Sequence, residues 1–337
     1  MVESSIVEST ENNDRKIKDI NPKDCHLPLP NNCFPLAHQV AGHFYGKGRT
    51  KLGLLQTNDG LVLKPVQSPP RGEREHNFFK RIFLSEDHEL NQDEIVLRSL
   101  CPTYRGFLTH SDIIYIKMDD MAYGFKLPAV IDYKIGRVTY DPEASQEKIA
   151  RQLKKYPPVE RIGFQLIGMR VFNREALTFS HYDKKFGRAL AEDDLIHGLA
   201  LYYQFHQTPQ IRAIKETIKK FEEIKLWFEK QRTYHFYSSS LIVIYEAYLE
   251  DMINEQLKNS SKENQNLDEQ NNNDLVIANH LNSVRIVMAD FAHVFPANNN
   301  LDSNYLYGLN RLIEHLKLLL SPEYKFKDVR FNEVNIK

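Results

Sequence analysis

The stretch Pro128-Ala-Val-Ile-Asp-Tyr-Lys-Ile-Gly136 predicts a strand that carries an acid and a base on one face. An apolar run precedes Asp132, and Lys134 follows two residues later. Because side chains alternate between the faces of a strand, the carboxylate and the ammonium should point the same way. Such a pair suits phosphoryl transfer, which needs control of a metal ion and a hydroxyl beside neutralisation of phosphate charge. Taken alone, the motif is interpreted more simply as an exposed ion pair, which is common and contributes little to stability.

A basic helix is predicted directly downstream of this strand. Asp141 and Pro142 form a helix start, with a capping acid and Pro at the first helical position, and Pro157-Pro158 end the helix. One face carries polar side chains at spacings i, i+3, i+4 and i+7: Lys148, Arg151, Gln152 and Lys155. A neighbouring face is predicted to pack on the core: Ile149, Leu153 and Tyr156.

The segment around this helix is strongly basic. Residues 134–188 contain 12 Lys and Arg against 6 Asp and Glu, a local charge of +6 in a chain whose net charge is -1. A solvated basic face is the usual meaning of such a run. The position beside Lys134 favours a polyanion site instead, because clustered cations repel one another unless a ligand compensates them.

A second constellation lies in the preceding strand and helix. Lys64 follows a hairpin signal at Asn58-Asp59-Gly60, and Glu75 lies in a helix whose apolar positions include Phe78 and Phe79. A strand Lys held by a helix Glu orients ATP phosphates in protein kinases. Spacing alone favours two unrelated surface side chains, so the interpretation needs a metal-binding acid elsewhere.

Asp290 supplies that acid, because it ends an apolar strand and opens Asp-Phe-Ala-His293, much as the Asp-Phe-Gly of protein kinases places a Mg²⁺ ligand. An isolated Asp at a strand end is more often a cap or turn residue. Neither a Gly-rich loop, a His-Arg-Asp sequence nor a Walker A sequence is present. The pattern therefore predicts a kinase-like ATP site that serves a small, highly anionic acceptor.

Composition places the chain among ordinary globular proteins. It has 337 residues, of which 42% are hydrophobic and 26% charged, and its near-neutral charge argues against direct nucleic-acid binding. No apolar run reaches the ~18–20 residues of a membrane span. The three cysteines, Cys25, Cys33 and Cys101, lack CxxC spacing, which fits free thiols in the nucleus and cytoplasm. With His26, His38 and His43 they match no common zinc pattern, and we interpret them as structural.

These residues resemble the inositol polyphosphate kinase family, whose PxxxDxKxG signature is matched by Pro128, Asp132, Lys134 and Gly136. Within the family the likeness is to its multikinase branch. Further segments carry the resemblance: residues 38–46, 69–72, 140–145, 236–241 and 290–296. The resemblance implies an α+β fold with two lobes, related to protein kinases, with ATP between the lobes.

The expected organisation has three parts. Residues 1–30 form a disordered leader, residues 31–121 an N-terminal lobe of antiparallel sheet plus helix, and residues 122–330 a C-terminal lobe. The C-terminal lobe would hold the inositol-phosphate-binding helix and a flexible insertion at about 254–279, which is rich in Asn, Gln, Glu, Lys and Ser.

The resemblance also implies roles for single residues. Lys64 would contact ATP phosphates with Glu75 as its partner, Asp119 to Met121 would receive adenine through backbone groups, and Asp290 would hold Mg²⁺. Asp132 would bind the nucleotide ribose or assist the acceptor, and Lys134 would lie between the γ-phosphate and the accepting hydroxyl. The inositol-phosphate contacts would be Lys148, Gln152, Lys155 and His293. Arg151 and Lys184 replace glutamines of the animal multikinases, and we place both with the acceptor.

The expected activity is ATP- and Mg²⁺-dependent phosphorylation of inositol tris- and tetrakisphosphates to the pentakisphosphate by a monomer. Phosphatidylinositol bisphosphate is a second expected acceptor. Two alternatives stay open: an inositol hexakisphosphate kinase that makes pyrophosphates, which the extra cations Arg151 and Lys184 would suit, and a non-catalytic inositol-phosphate-binding scaffold. The presence of Lys64, Asp132, Lys134 and Asp290 argues against a scaffold without catalysis.

Overall fold

The structure is a computed structural model that describes residues 29–46, 52–247 and 284–330. The predicted leader lies outside these ranges except for residues 29 and 30, and the predicted insertion at 254–279 lies wholly outside them. Cys25 and His26 also fall outside. Cys33 and Cys101 are buried free thiols, as expected.

The first lobe is built on a five-stranded antiparallel sheet in the order β1-β2-β3-β5-β4. Its strands are β1 (Cys33–Pro35), β2 (Leu55–Thr57), β3 (Leu61–Pro65), β4 (Tyr104–His110) and β5 (Ile113–Asp119). The predicted hairpin at 58–60 joins β2 and β3, and Gly60 adopts a φ of +85°, which this tight turn requires. Lys64 therefore stands on β3, the central strand of this sheet.

Two helices cover this sheet, although only one was predicted. Helix α1 (Arg71–Leu84) buries Phe78, Phe79 and Ile82, which confirms the predicted apolar face. Helix α2 (Gln92–Leu100) was missed. Its start is an Asn-x-x-Glu capping box, in which Asn91 Oδ1 accepts from the Glu94 N–H at 3.0 Å and Glu94 Oε2 accepts from the Asn91 N–H at 3.0 Å.

The second lobe holds another five-stranded antiparallel sheet, in the order β11-β10-β6-β7-β8. Its strands are β6 (Pro128–Ile135), β7 (Phe164–Asn173), β8 (Thr178–Tyr182), β10 (Ser240–Glu246) and β11 (Arg285–Ala289); β9 (Tyr234–Phe236) and β12 (Val294–Pro296) form a separate pair. The motif strand β6 is central. A register shift against β7 falls between Asp132 and Tyr133, so the sheet is irregular at the predicted site.

Among the described residues of the second lobe there are six helices: α3 (Gln146–Lys155), α4 (Val159–Ile162), α5 (Lys184–Ala189), α6 (Leu195–Tyr202), α7 (Ile211–Lys230) and α8 (Ser303–Leu319). The long helices α7 and α8 are amphipathic and pack on each other. None of the helices in the described ranges is both long and apolar enough to cross a bilayer.

Two predictions about α3 were wrong. The helix begins after Ser145, whose hydroxyl accepts from the Lys148 N–H at 3.2 Å, and not at Asp141, whose carboxylate instead accepts from the Glu143 N–H in a preceding turn. The helix also buries none of its own residues. Leu153 is 50% exposed and only Tyr156, just beyond the helix, packs in the core, so α3 lies on the surface.

One hydrophobic core runs through both lobes. It extends from Val62 and Phe78 in the first lobe through Tyr133 on β6 to Leu309 on α8. At the junction, Phe78 of α1 stacks on Phe291 with ring centroids 4.1 Å apart. The lobes are therefore joined by packed aromatic side chains close to Asp290.

Candidate functional site

Lys64 lies between two carboxylates at the junction of the lobes. Its Nζ is 2.7 Å from Glu75 Oε1 and 2.6 Å from Asp290 Oδ1. Burial alone would lower the pKa of Lys64, but Asp290 and Glu75 outweigh it and raise that pKa above its usual value. The structure thus places together three residues that are far apart in sequence, and it keeps the Lys64 ammonium charged.

The turn at Asp290 is held by contacts from α1. Asp290 adopts a φ of +63°, a left-handed conformation that Asp tolerates better than most residues. The next N–H, of Phe291, donates to Glu75 Oε1 at 3.1 Å, and Glu75 is only 1% exposed. One buried carboxylate therefore fixes both Lys64 and the backbone that presents Asp290.

Asp132 is buried beside this cluster, at the middle of β6. It is 6% exposed, and its Oδ1 has no hydrogen-bond partner among the described residues. Burial, followed by repulsion from Asp290, raises the pKa of Asp132 to about 7, although Ser240, Lys134 and Lys64 oppose the shift. A carboxylate with that pKa changes its charge close to neutral pH, as a general base does.

The raised pKa of Asp132 predicts a pH-dependent stability difference. Between its unfolded value of 3.8 and about 7, the folded protein keeps a proton that the unfolded chain releases, so wild-type stability falls as pH rises through this window. Asp132→Asn has no such proton. We expect the thermal midpoint of the nucleotide-free variant, minus that of wild type, to grow between pH 5 and pH 7 and then level off, measured by differential scanning fluorimetry.

The matched control is Asp328→Asn on an accessible acid. Arg330 holds the pKa of Asp328 below its usual value, so its contribution to stability is complete above pH 5 and should not change across the same range. A constant difference for Asp132→Asn would contradict the raised pKa.

Gly136 directly follows the motif strand at a position that favours glycine. Its φ is +106°, and a Cβ there would lie 2.6 Å from Asn304 Nδ2. The Asn304 side chain is fixed by Val138, since Oδ1 accepts from the Val138 N–H at 2.8 Å and Nδ2 donates to its carbonyl at 3.1 Å. The glycine of the signature therefore lets the chain turn from Lys134 towards α3.

A cluster of cations surrounds Lys155 at the C-terminal end of α3. Burial is the largest effect that lowers the pKa of Lys155, and four neighbouring cations lower it further: Arg188, Lys134, Arg151 and Lys184. The Gln152 Oε1 accepts from Lys155 Nζ at 3.0 Å. The structure therefore brings the motif lysine together with the predicted acceptor residues of α3 and with the start of α5.

Arg188 is a member of this cluster that sequence reasoning did not select. Its Nε is buried without a hydrogen-bond partner among the described residues. Its position on α5 is fixed by Gly187, where a Cβ would lie 2.1 Å from the Leu166 carbonyl oxygen. The signal was available, since Arg188 ends the basic segment counted in the sequence and follows Lys184 by four positions, one helical turn.

Asp141 contacts two residues that were predicted to bind the acceptor, but it was not itself predicted to belong to the site. Its Oδ2 lies 3.0 Å from Lys148 Nζ and 2.5 Å from His293 Nδ1. Burial would raise the pKa of Asp141, but Lys148 and His293 outweigh it and hold that pKa below its usual value. For His293, burial is the largest effect and keeps its pKa below the usual value, although Asp141 opposes it.

The Asp119 side chain and the Met121 carbonyl have partners outside these groups. The Asp119 carboxylate pairs with Arg105 on the neighbouring strand, at 2.7 and 2.9 Å. The Met121 carbonyl accepts from Arg285 Nη1 at 3.1 Å. Glu246 holds the Lys126 and Leu127 N–H groups at 2.9 and 2.8 Å. Adenine binding by backbone groups of Asp119 and Met121 stays a prediction.

The carboxylates around Lys64 have the chemistry that Mg²⁺ needs. Asp132 Oδ1 and Glu75 Oε2 are buried without partners among the described residues, and the Asp290 side chain is 48% exposed. Mg²⁺ is usually held by one or two carboxylates together with substrate phosphates and water. No group of three or more His, Cys, Asp or Glu side chains in the described ranges forms a ready metal cage, so phosphate oxygens would have to complete the coordination.

Comparison with known proteins places the chain in a family. Residues 115–317 match the family model described as inositol polyphosphate kinase. Human inositol polyphosphate multikinase is 30% identical over 387 aligned positions, which cover 89% of this chain and 91% of that protein. The mouse multikinase is 40% identical over 226 positions, 65% of this chain and 56% of that protein.

A solved structure supports the fold. The crystal structure of the inositol phosphate multikinase Ipk2 from S. cerevisiae, in complex with ADP and Mn²⁺, matches with a TM-score of 0.58 and 22% identity, and the match covers 78% of this chain and 100% of that one. The predicted two-lobed α+β fold is confirmed. The chain belongs to the inositol polyphosphate kinase family, with multikinases among its relatives, and it is an inositol phosphate kinase.

Proposed function

We propose that this kinase transfers the γ-phosphoryl group of ATP to hydroxyls of inositol tris- and tetrakisphosphates and forms the pentakisphosphate. The single observation that carries the proposal is the adjacency of two sites of opposite charge. Glu75 and Asp290 pair with Lys64 and Asp132 lies close by, and the cations around Lys155 begin at Lys134.

The two sites divide the work between nucleotide and acceptor. Lys64, oriented by Glu75, would neutralise ATP phosphates, and Asp290 would hold Mg²⁺, with Asp132 close by. The metal ion would supply charge neutralisation at the phosphates. Phosphoryl transfer needs little covalent chemistry from a protein, so catalysis here rests on positioning and on electrostatic stabilisation.

Lys134 and Asp132 would meet the transferred group from the motif strand. The Lys134 ammonium interacts with both Asp132 and Asp290 and also with Lys155, so it lies between the carboxylate cluster and the basic cluster. That position suits a cation shared by the γ-phosphate and the accepting hydroxyl. Asp132 has two candidate roles, acceptor of the hydroxyl proton or ligand of the nucleotide ribose, and its pKa of about 7 is compatible with the first.

The proposal is tested by product analysis. Purified protein is incubated with Mg-ATP and inositol trisphosphate, and the products are separated by ion-exchange chromatography and assigned by NMR. Sequential appearance of tetrakis- and pentakisphosphate is the expected result. Pyrophosphate formation from inositol hexakisphosphate as the main activity would favour the alternative enzyme, and absence of turnover with every acceptor would favour a binding scaffold.

The exposed cations Arg151 and Lys184 should tune the choice among acceptors. Arg151→Gln/Lys184→Gln removes two charges that contribute about 0.2–1 kcal/mol each at exposed sites. We expect the KM to rise about tenfold for the tetrakisphosphate and less for the trisphosphate, measured by initial rates at fixed Mg-ATP.

The matched control for this pair is Lys154→Gln/Lys185→Gln, which removes exposed lysines from the same helices outside the predicted contacts. Equal effects of the two double variants would mean that only the total charge matters, and would contradict specific roles for Arg151 and Lys184.

We extend the proposal to phosphatidylinositol bisphosphate as a second acceptor and to a monomeric enzyme in the nucleus and cytoplasm. The surface position of α3 supports the lipid acceptor, since its cations are exposed and Leu153 is half exposed beside them. Free cysteines support a reducing compartment. Turnover of the lipid in mixed micelles tests the second acceptor, and the mass in solution by light scattering tests the monomer.

A further inference from the structure

Asp141 connects the acceptor helix to the segment that follows the proposed metal ligand. It lies in the turn before α3, and its side chain is 3% exposed. Its Oδ2 reaches Lys148 on α3 at 3.0 Å and His293, three residues after Asp290, at 2.5 Å. Its other oxygen accepts from the Glu143 N–H at 3.0 Å, which fixes the plane of the carboxylate.

A second residue holds the same two segments together from the first lobe. Arg74 of α1 pairs with Glu143 Oε2 at 2.7 Å and donates to the Ala292 carbonyl at 3.2 Å. Its guanidinium also lies 4.4 Å from the centre of the Phe295 ring. The neighbours of Asp141 and of His293 are therefore clamped by one arginine, so the three-way contact of Asp141 is built into the fold and is not a chance meeting of surface side chains.

We propose that Asp141 is a positioning residue for the acceptor, which sets where the Lys148 ammonium and the His293 ring meet the acceptor's phosphates; this rests on the proposed function. A Lys side chain has four rotatable bonds and loses rotamer entropy when it is held. The pair with Asp141 holds Lys148 before the acceptor arrives. With Nδ1 turned to Asp141, the His293 Nε2 is the ring nitrogen left to face a phosphate.

The same carboxylate makes the site selective by shape. Without Asp141, the Lys148 ammonium and the His293 ring would be unrestrained beside an already basic surface, and any polyanion could then bind in many orientations. A fixed carboxylate instead repels a phosphate placed in the wrong position and leaves room for one placed between its two partners. The acceptor is thereby bound in one orientation, which places its inositol hydroxyls in a defined position.

The test is Asp141→Asn, which keeps the shape of the side chain and removes its charge. The expected result is a fall of about 10- to 100-fold in kcat/KM for inositol trisphosphate, because misplaced binding groups lose the reactive geometry. The KM for ATP should not change, since Lys64, Glu75 and Asp290 are untouched. Asp87→Asn is the matched control, because it breaks a 2.6 Å pair with Arg98 at a 78% exposed acid in the first lobe.

The effect of Asp141→Asn on activity in a second variant distinguishes a positioning role of Asp141 from a merely structural one. In a Lys148→Met/His293→Gln variant nothing is left to position, so adding Asp141→Asn should cost little further activity. A merely structural role would cost the same factor in both backgrounds. If Asp141→Asn alone is too unstable to assay, the triple variant is compared with the Lys148→Met/His293→Gln variant. This comparison still separates the two roles, because the amide leaves no cation unpaired in the triple variant.

The possible failures are distinguishable. Absence of wild-type turnover with inositol phosphates would refute the proposed function. Wild-type turnover together with an unchanged kcat/KM in Asp141→Asn would overturn only the role of Asp141, as would equal losses in the two backgrounds.

Discussion

Asp290→Asn is expected to lower turnover about 10³-fold at saturating ATP and acceptor. The carboxylate is the proposed Mg²⁺ ligand and lies 2.6 Å from Lys64 Nζ. Its charge therefore attracts both the metal ion and the Lys64 ammonium. Loss of several kcal/mol of charge stabilisation at a transferring phosphoryl group corresponds to this factor. Initial rates over a range of Mg²⁺ concentrations should also show that the variant needs more metal.

The control for this substitution is Asp112→Asn. Asp112 is exposed in the turn between β4 and β5 and has a φ of +62°, almost equal to the +63° of Asp290, so both substitutions place Asn in the same backbone conformation. Turnover should be unchanged in Asp112→Asn. An Asp290→Asn enzyme with full turnover and unchanged Mg²⁺ dependence would refute the metal assignment.

Lys134→Met is expected to lower kcat about 10²- to 10³-fold while the acceptor KM changes far less. The cation is proposed to act on charge that develops during transfer, and removal of one such group typically costs this much. Single-turnover measurements with bound Mg-ATP and inositol trisphosphate isolate the chemical step. Arg137→Met is the control, because Arg137 lies three positions further along the chain and stacks 4.7 Å from the Tyr307 ring centre.

The changes in kcat and in the acceptor KM distinguish two roles for Lys134. If kcat is retained and only the acceptor KM rises, Lys134 is one more phosphate-binding residue of the cluster around Lys155. A fall in kcat that persists at saturating acceptor supports a role in transfer itself.

The sequence predicted the residues around Lys64 because their signals are local. Lys64 follows a hairpin, Glu75 lies in a helix with a clear apolar face, and Asp290 ends an apolar strand, so each residue type stands in a recognisable setting. The direct contact of Lys64 with Asp290 could not be predicted. It depends on how Phe291 stacks on Phe78 and on the N–H that Phe291 donates to Glu75, contacts between segments more than 200 positions apart.

The surroundings of α3 were predicted less completely for a different physical reason. An Asp before a Pro is a common helix start, and the same letters describe Asp141, which is buried against Lys148 and His293 instead. The apolar spacing of Ile149, Leu153 and Tyr156 predicted a docked face, yet the tertiary position of α3 leaves Leu153 half exposed. Pattern reasoning assigns residues to faces of an element but does not determine which face the fold covers.

The antiparallel pairing of β10 and β11 has a consequence for labelling the enzyme. Ser240 pairs with Ala289 at the Asp290 end, whereas Ile244 pairs with Arg285 at the opposite end, next to residues 121–127. Ala247 and Val284 therefore lie at the end of the strand pair that is remote from Asp290. A fluorescent reporter spliced between these two strands would join ends that already lie side by side, at the end of the pair remote from Asp290.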